Sequence, residues 1–262
     1  MEHGEFYKLP EVYELAFSYR NVPHECDFLA AVYQSVAGRQ PSSVLELACG
    51  PGEHVREFQR RDLRVAALDL SAEMTAYLQA NLAPDRVAEV LTADMAEFKL
   101  QQKVDLAFTL IDSLPYLTTN AQLISHFRCV RQSLEPGGVY VVELRHPRDI
   151  LGGDQTKSTV NKWTMESGGL SVMTEWGVET HCNPITQVEH VLTRITIERD
   201  GRQETIETRG DLRPLLPQEL LALVELAGGW QFAGWWGDFD LARPLGEDDR
   251  DWRMIVAVRA AV

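Results

Sequence analysis

The feature that narrows this sequence most is a repeated exchange of rhythm. Short apolar runs, SSVLELA (42–48), RVAALDLS (64–71), VAEVLTADM (87–95), VDLAFTLID (104–112) and GVYVVELRHP (138–147), alternate with segments of helical spacing. The clearest of those segments are EHVREFQRR (53–61), AEMTAYLQANL (72–82) and AQLISHFRCVRQSL (121–134). Apolar run, helix and apolar run in succession form the pattern of a right-handed crossover. The spacing therefore predicts a parallel sheet with helices on both faces. The run at 104–112 has so few polar residues that it reads as a strand buried on both faces. Glu135-Pro136-Gly137-Gly138 reads as the helix stop before the fifth strand.

The rhythm breaks after about residue 150. LSVMTEWGVETHC, QVEHVLTRITIERDG and RQETIETRGDLR alternate with period two, and Asp200-Gly201 supplies a hairpin turn. This is an antiparallel β insertion. It lies before the last helix, PQELLALVELAGG (217–229), and two final strands at 230–240 and 251–260. At the other end, residues 11–38 carry apolar positions at helical spacing, with Val12, Leu15, Ala16 and Tyr19, then Phe28, Leu29, Val32 and Val36. Gly38 and Pro41 close that region. The domain reading is a helical cap over 1–40, an α/β domain over 41–150 and 211–262, and the insertion over 151–210, a lid for substrate.

Composition excludes several classes of function. The net charge is −14 and no Lys/Arg cluster appears, which argues against a non-specific grip on nucleic acid. No apolar run approaches the roughly 18 residues of a membrane span. The acidic N-terminal stretch lacks the apolar core of a secretory signal. Cys26, Cys49, Cys129 and Cys182 lie far apart without a C-x-x-C pair, as expected of reduced thiols in a cytoplasmic protein. No His/Cys/Asp/Glu set has metal-ligand spacing, so no metal is expected.

The chemistry is expected where the first strand ends. Leu45-Glu-Leu-Ala-Cys-Gly-Pro-Gly-Glu-His54 places Gly50 and Gly52 between that strand and the first helix. Either they make a plain turn, or a ligand comes too close to the backbone for a side chain. In an open parallel sheet the ligand crevice lies beyond the carboxyl ends of the strands. Asp69 and Asp94 end the second and third strands, placed to bind ribose hydroxyls and an adenine amino group. A helix cap or a solvated loop acid is the alternative for each. Val55 stands where a dinucleotide fingerprint needs its third glycine, and no Gly-Lys-Ser/Thr exists. The edge suits an adenosine ligand with little or no phosphate.

VLELACGPG (44–52), Asp69, Asp94, VDLAFTLIDSLPYL (104–117) and LEPGGVYVVE (134–143) together resemble the class I S-adenosylmethionine-dependent methyltransferases. The resemblance covers roughly 40–150 and 217–262. It is nearest to small-molecule enzymes with a β insertion before the sixth strand, such as sugar N-methyltransferases. It implies a doubly wound, mostly parallel seven-stranded sheet whose last strand is antiparallel. It also implies that S-adenosylmethionine is the cofactor, with Glu46, Ala48, Gly50 and Gly52 around its methionine part. Asp69, followed by Leu70, would meet the ribose, Asp94 and Met95 the adenine, and Ile111 the reactive methyl. Tyr13 and Arg20 would close over the methionine carboxylate.

Two catalytic candidates follow. His146, after the fifth strand, is a candidate general base, with Glu143 on the same face. Tyr116 is a candidate pocket residue. It ends IDSLPY (111–116), whose Asp112–Tyr116 part is one residue longer than the Asp/Asn-Pro-Pro-Tyr motif of nucleobase methyltransferases and has Ser-Leu in place of its first proline. For each of these a structural role is the competing reading. His181 and His190 read as hairpin surface, His54 as part of the turn, and Cys49 as a small filler. The resulting expectation is a methyltransferase acting on a nitrogen, oxygen or carboxylate of a small-molecule acceptor, without nucleic-acid or membrane partners. A non-catalytic S-adenosylmethionine-binding regulator or subunit is the alternative, and Val55 disfavours a nicotinamide oxidoreductase.

Overall fold

The structure is a computed structural model that describes residues 4–151, 160–180, 182–248 and 250–261. The helical N-terminal region divides into α1 (Pro10–Ala16) and α2 (Val22–Ala37). Asn21 caps α2 by accepting from the His24 N–H, and Gly38 ends it in the left-handed region. The alternating stretch follows as β1 (Ser43–Leu47), α3 (Glu53–Arg60), β2 (Arg64–Asp69), α4 (Ala72–Ala80), β3 (Val87–Thr92), β4 (Val104–Thr109), α5 (Asn120–Ser133) and β5 (Leu134–Arg145). Ser71 caps α4, and Thr119 with Gln122 forms a reciprocal capping box on α5.

A short helix, α6 (Pro147–Leu151), precedes a four-stranded antiparallel sheet of β6 (Val160–Ser167), β7 (Leu170–Thr180), β8 (Glu189–Arg199) and β9 (Arg202–Leu212). Asp200 and Gly201 both have positive φ at the β8–β9 turn, the geometry that a two-residue hairpin requires. The chain then returns to the main sheet through α7 (Pro217–Ala227), β10 (Trp230–Trp236) and β11 (Arg253–Ala260).

The main sheet has seven strands in the order β10-β11-β5-β4-β1-β2-β3. The first five strands in the chain pair parallel, and β11 pairs antiparallel with both β5 and β10. All residues of β1 and β4 are buried, as central strands covered on both faces must be. One apolar cluster joins the sheet to α5 and α7 through Phe127, Leu220 and Leu223. A second covers the opposite face through Phe28, Leu29 and Val32 of α2, Phe58 of α3 and Leu78 of α4. Strand order reverses between β1 and β4, so a crevice opens beyond their carboxyl ends.

The two N-terminal helices have different destinations. α2 packs on the main sheet, whereas α1 contributes Val12 and Ala16 to a third cluster with Phe6, Val172 and Ile195 of the insertion. Tyr19, between them, is 51% exposed rather than inward. Three further boundaries differ from the sequence pattern. The fourth strand stops at Thr109, because Ile111 and Asp112 turn into the left-handed region. The Pro-Gly-Gly stretch does stop α5, but it lies inside β5, where Gly137 has φ +77° and the pairing to β4 shifts register. The insertion has an extra strand, β6, whose residues are mostly exposed and so carry no period.

Candidate active site

At the carboxyl end of β1 the backbone passes through the left-handed region at Ala48, Gly50 and Gly52. These turns aim N–H groups at the end of β2. The Gly50 N–H donates to Asp69 Oδ2 at 2.8 Å, and the Ser71 N–H donates to Asp69 Oδ1 at 2.8 Å. Asp69 therefore ties the first two strand ends together. A side chain on Gly50 would meet the Tyr13 ring at 3.5 Å. Gly52 serves packing instead. A Cβ there would collide with Leu78, and among the described residues Gly52 is not part of the cavity wall, contrary to the expectation that it surrounds the methionine.

A cavity of about 790 Å3 opens above this turn, within the size range of small-molecule sites. Tyr13, Gly50, Asp69, Leu70, Asp94 and Met95 line one side. Trp163, Trp176, Val191, Thr193 and Thr208 of the insertion line the other, with Ile111 and Tyr116 between. Asp94 Oδ1 accepts from the Ala96 N–H at 2.7 Å. The Met95 carbonyl is held by His126 Nδ1 at 2.8 Å, so a buried histidine that no motif marks supports this wall.

A buried charge cluster lies under the turn. Arg20 donates from Nε and Nη2 to Glu25, and from Nη1 and Nη2 to Glu143. Among the described residues these bonds leave one of its five N–H groups without an acceptor. Its charge stays locked because both carboxylates outweigh the effect of burial. Glu143 also accepts from Arg253 Nη1 and the Ile111 N–H. His54 bridges Glu25 at 2.7 Å and Glu46 at 3.3 Å. Burial pulls the imidazole down, but the Glu46 charge and the bonds to both carboxylates lift it to about 9. Burial acts to raise Glu25, yet His54 and Arg20 bring it down to about 2. His54 is thus a charged member of the cluster and more than a turn residue. Buried Glu46 Oε2 has no hydrogen-bond partner among the described residues, and Glu46 lines a small side pocket with Gly50 and Tyr13. A buried carboxylate oxygen without a donor fits a cationic ammonium.

On the insertion side, the Tyr116 hydroxyl bonds the Tyr7 hydroxyl at 2.6 Å. Burial raises both phenols, so both stay neutral. His146 does not fill the expected role of base. The Arg148 N–H donates to Nδ1 at 3.1 Å, so Nε2 carries the proton and donates to the Gly246 carbonyl at 3.0 Å. Both ring nitrogens are committed, and His146 does not line the cavity. The neighbouring position does line it: Arg145 bonds Glu189 of β8 at 2.6 Å. His190 is exposed and pairs with Asp211, and His181 lies outside the described residues. Tyr7, Glu25 and Arg145 are site residues that no motif identified, and Asp112 lies in IDSLPY without having been singled out there.

Comparisons with known proteins bear on the fold that carries this site. Residues 44–138 match a family model described as a methyltransferase domain. The chain is 33% identical over 135 residues to the dTDP-3-amino-3,4,6-trideoxy-alpha-D-glucopyranose N,N-dimethyltransferase of Streptomyces venezuelae, covering 51% of this chain and 55% of that one. The chain spans about half the length of the curated relatives it matches. It superposes on DesVI of Streptomyces venezuelae with a TM-score of 0.77 at 22% identity, covering 96% of this chain and 98% of that one. On the sugar N-methyltransferase KedS8 from Streptoalloteichus sp. ATCC 53650 the TM-score is 0.74 at 21% identity, covering 95% and 93%. The chain has the class I methyltransferase fold, and its residues 44–138 match the methyltransferase-domain family.

Proposed function

We propose that this protein is an S-adenosylmethionine-dependent methyltransferase that methylates an amine of a small, sugar-like acceptor. One observation carries the proposal: a single cavity joins the Gly50–Asp69–Asp94 edge to the inner face of the insertion. The cofactor, when bound, supplies an electrophilic methyl group on a cationic sulfonium. Glu46 Oε2 would receive its ammonium, and the remaining Arg20 N–H and the Tyr13 ring would meet its carboxylate. Asp69 would hold the ribose hydroxyls, with Leu70 beside it. Asp94 and Met95 would frame the adenine, and Ile111 would lie near the methyl. The aromatic walls exclude water, and the site acts mainly by positioning. The amine is chosen because matched relatives are named as N,N-dimethyltransferases of dTDP-linked amino sugars.

Calorimetry with S-adenosylhomocysteine and NAD tests the cofactor. The former is expected to bind and to stabilise the fold by about 2.7 kcal/mol at a hundredfold excess over Kd. Equal stabilisation by NAD overturns the assignment. Methyl transfer is then assayed with dTDP-linked 3-amino and 4-amino sugars and with the free amino sugars. Binding of S-adenosylmethionine without transfer to any amine, hydroxyl or carboxylate acceptor points to a binding protein instead.

A further inference from the structure

Asp112, a carboxylate on the cavity wall, has an oxygen with no donor among the described residues. Asp112 follows Ile111 at the end of β4, and both residues line the cavity. Their φ angles are +56° and +50°, in the region that glycine favours, although neither is glycine and Ile111 is β-branched. Strain of this kind persists where surrounding contacts impose it. Here the contacts are visible. Glu143 accepts the Ile111 N–H at 2.9 Å, and Asp112 Oδ1 accepts the Arg145 N–H at 3.1 Å. The second oxygen, Oδ2, lies 3.8 Å from Arg145 Nε, too far for a hydrogen bond. The Asp112 side chain is 26% exposed.

Among the described residues five other carboxylates line the cavity: Asp149 is exposed on α6, and Asp94 lies beyond the end of β3 with its Oδ1 held by the Ala96 N–H. Glu143 is held by Arg20, Arg253 and a backbone N–H. Asp69, at the end of β2, gives both oxygens to backbone N–H groups. Asp211 is largely exposed and pairs with His190. Arg145 connects Asp112 to the insertion, because its guanidinium bonds Glu189 of β8 and stands 5.9 Å from the Trp176 ring centroid. Asp112 therefore sits at the seam between the main sheet and the insertion, where an acceptor would enter.

We propose that Asp112 takes the proton from the acceptor amine before methyl transfer, an assignment that rests on the amine methyltransferase reading above. The acceptor enters as an ammonium. One N–H bond breaks and the proton moves to Asp112 Oδ2, leaving a lone pair on nitrogen. That pair forms the N–C bond as the methyl's bond to sulfur breaks, and the electrons of that bond remain on sulfur. The protonated carboxyl then releases its proton to water. The groups facing Asp112 set its basicity. Burial raises it to about 6, the Arg145 charge pulls the other way, and Glu143 and Glu189 push with burial. The Tyr116 phenol, pushed up by burial and by the Asp112 charge, is neutral. At neutral pH Asp112 is thus ionised, with a proton affinity close to the working pH, the condition for an effective general base.

Asp112→Asn separates this role from a structural one. Asparagine keeps an acceptor for the Arg145 N–H and tolerates the left-handed backbone. S-adenosylhomocysteine affinity, measured by calorimetry, is expected to match the wild type. Turnover of whichever dTDP-linked or free amino sugar the wild type methylates best is expected to fall by about 10²–10³ at pH 7. The variant's rate should then climb about tenfold per pH unit toward the pKa of the amine, whereas the wild type levels off above about pH 7. A variant as fast as wild type, or one whose pH profile runs parallel to it, overturns the assignment and leaves Asp112 as an anchor for Arg145. Loss of analogue binding together with turnover overturns it as well. A wild-type protein that binds S-adenosylmethionine but methylates none of these amines removes the reading on which the assignment rests, an outcome distinct from a fast variant.

Discussion

The two walls of the cavity are built by different means. The wall beyond β1, β2 and β3 is made of backbone turns and strand-end carboxylates, with Gly50, Asp69 and Asp94 at successive strand ends. The opposite wall is one face of an antiparallel sheet, made of side chains such as Trp163, Trp176 and Thr193. Topology fixes the first, because any chain wound in this order has a crevice there. Composition fixes the second, because any residue at an inward position of the insertion becomes wall. A ligand common to many such folds suits the first wall, and the acceptor peculiar to this protein suits the second.

Removing the second wall is the harshest test of that division. Replacing residues 160–212 by a short Gly/Ser loop is expected to abolish methyl transfer. The cofactor wall should suffer too, because α1 carries Tyr13 and packs through Val12 and Ala16 on Val172 and Ile195. S-adenosylhomocysteine binding is expected to weaken about tenfold, a loss of about 1.4 kcal/mol, and to persist by calorimetry. Complete loss of binding in a folded variant would show that the walls are one unit.

This division also explains what was legible in the sequence. Gly50, Asp69, Asp94 and Met95 each end a strand or follow one, so finding the strands located them. His146 ends a strand as well, yet it turns away because the Arg148 N–H and the Gly246 carbonyl hold both ring nitrogens. A strand end places a residue at the edge without saying which way its side chain points. Tyr7 meets Tyr116 across 109 residues, and Arg20 meets Glu143 across 123. Such pairs leave no local period. The left-handed turn at Ile111–Asp112 was hidden because β-branched isoleucine argues for strand.

On the first wall, Gly50→Val is expected to be the most damaging point change. Valine at φ +52° costs on the order of 1–3 kcal/mol in backbone strain. Its side chain would also press on the Tyr13 ring. Analogue affinity should fall by about 10² or more, the equivalent of about 2.7 kcal/mol. Asp69→Asn is expected to be milder. It keeps one acceptor oxygen for the N–H groups of Gly50 or Ser71 but removes the charge that would meet the ribose, a loss of about 1.5–3 kcal/mol of binding. If Asp69→Asn binds as tightly as wild type, the ribose is held elsewhere and the backbone alone makes the first wall.

The smallest effect is expected at Tyr116, where the two walls meet. Its hydroxyl bonds Tyr7 at 2.6 Å, and its ring stands 3.3 Å from where a Cβ on Gly210 would sit. Both phenols are pushed up by burial, so neither supplies a base at neutral pH. Tyr116→Phe keeps the ring and removes one hydrogen bond. The Tyr7 hydroxyl is left on the wall of the cavity, where water is available to replace the lost partner. Stability should fall by about 1 kcal/mol, the net worth of one such bond. Any change in turnover should appear in KM, because the bond positions the N-terminal segment against the acceptor wall without touching the transferred proton. A loss in kcat as large as that expected for Asp112→Asn would move the proton-transfer role to the tyrosine pair. Denaturant midpoints and steady-state kinetics on Tyr116→Phe, Tyr7→Phe and the double variant separate the outcomes. If the pair acts only through its mutual bond, the second substitution adds little to the first.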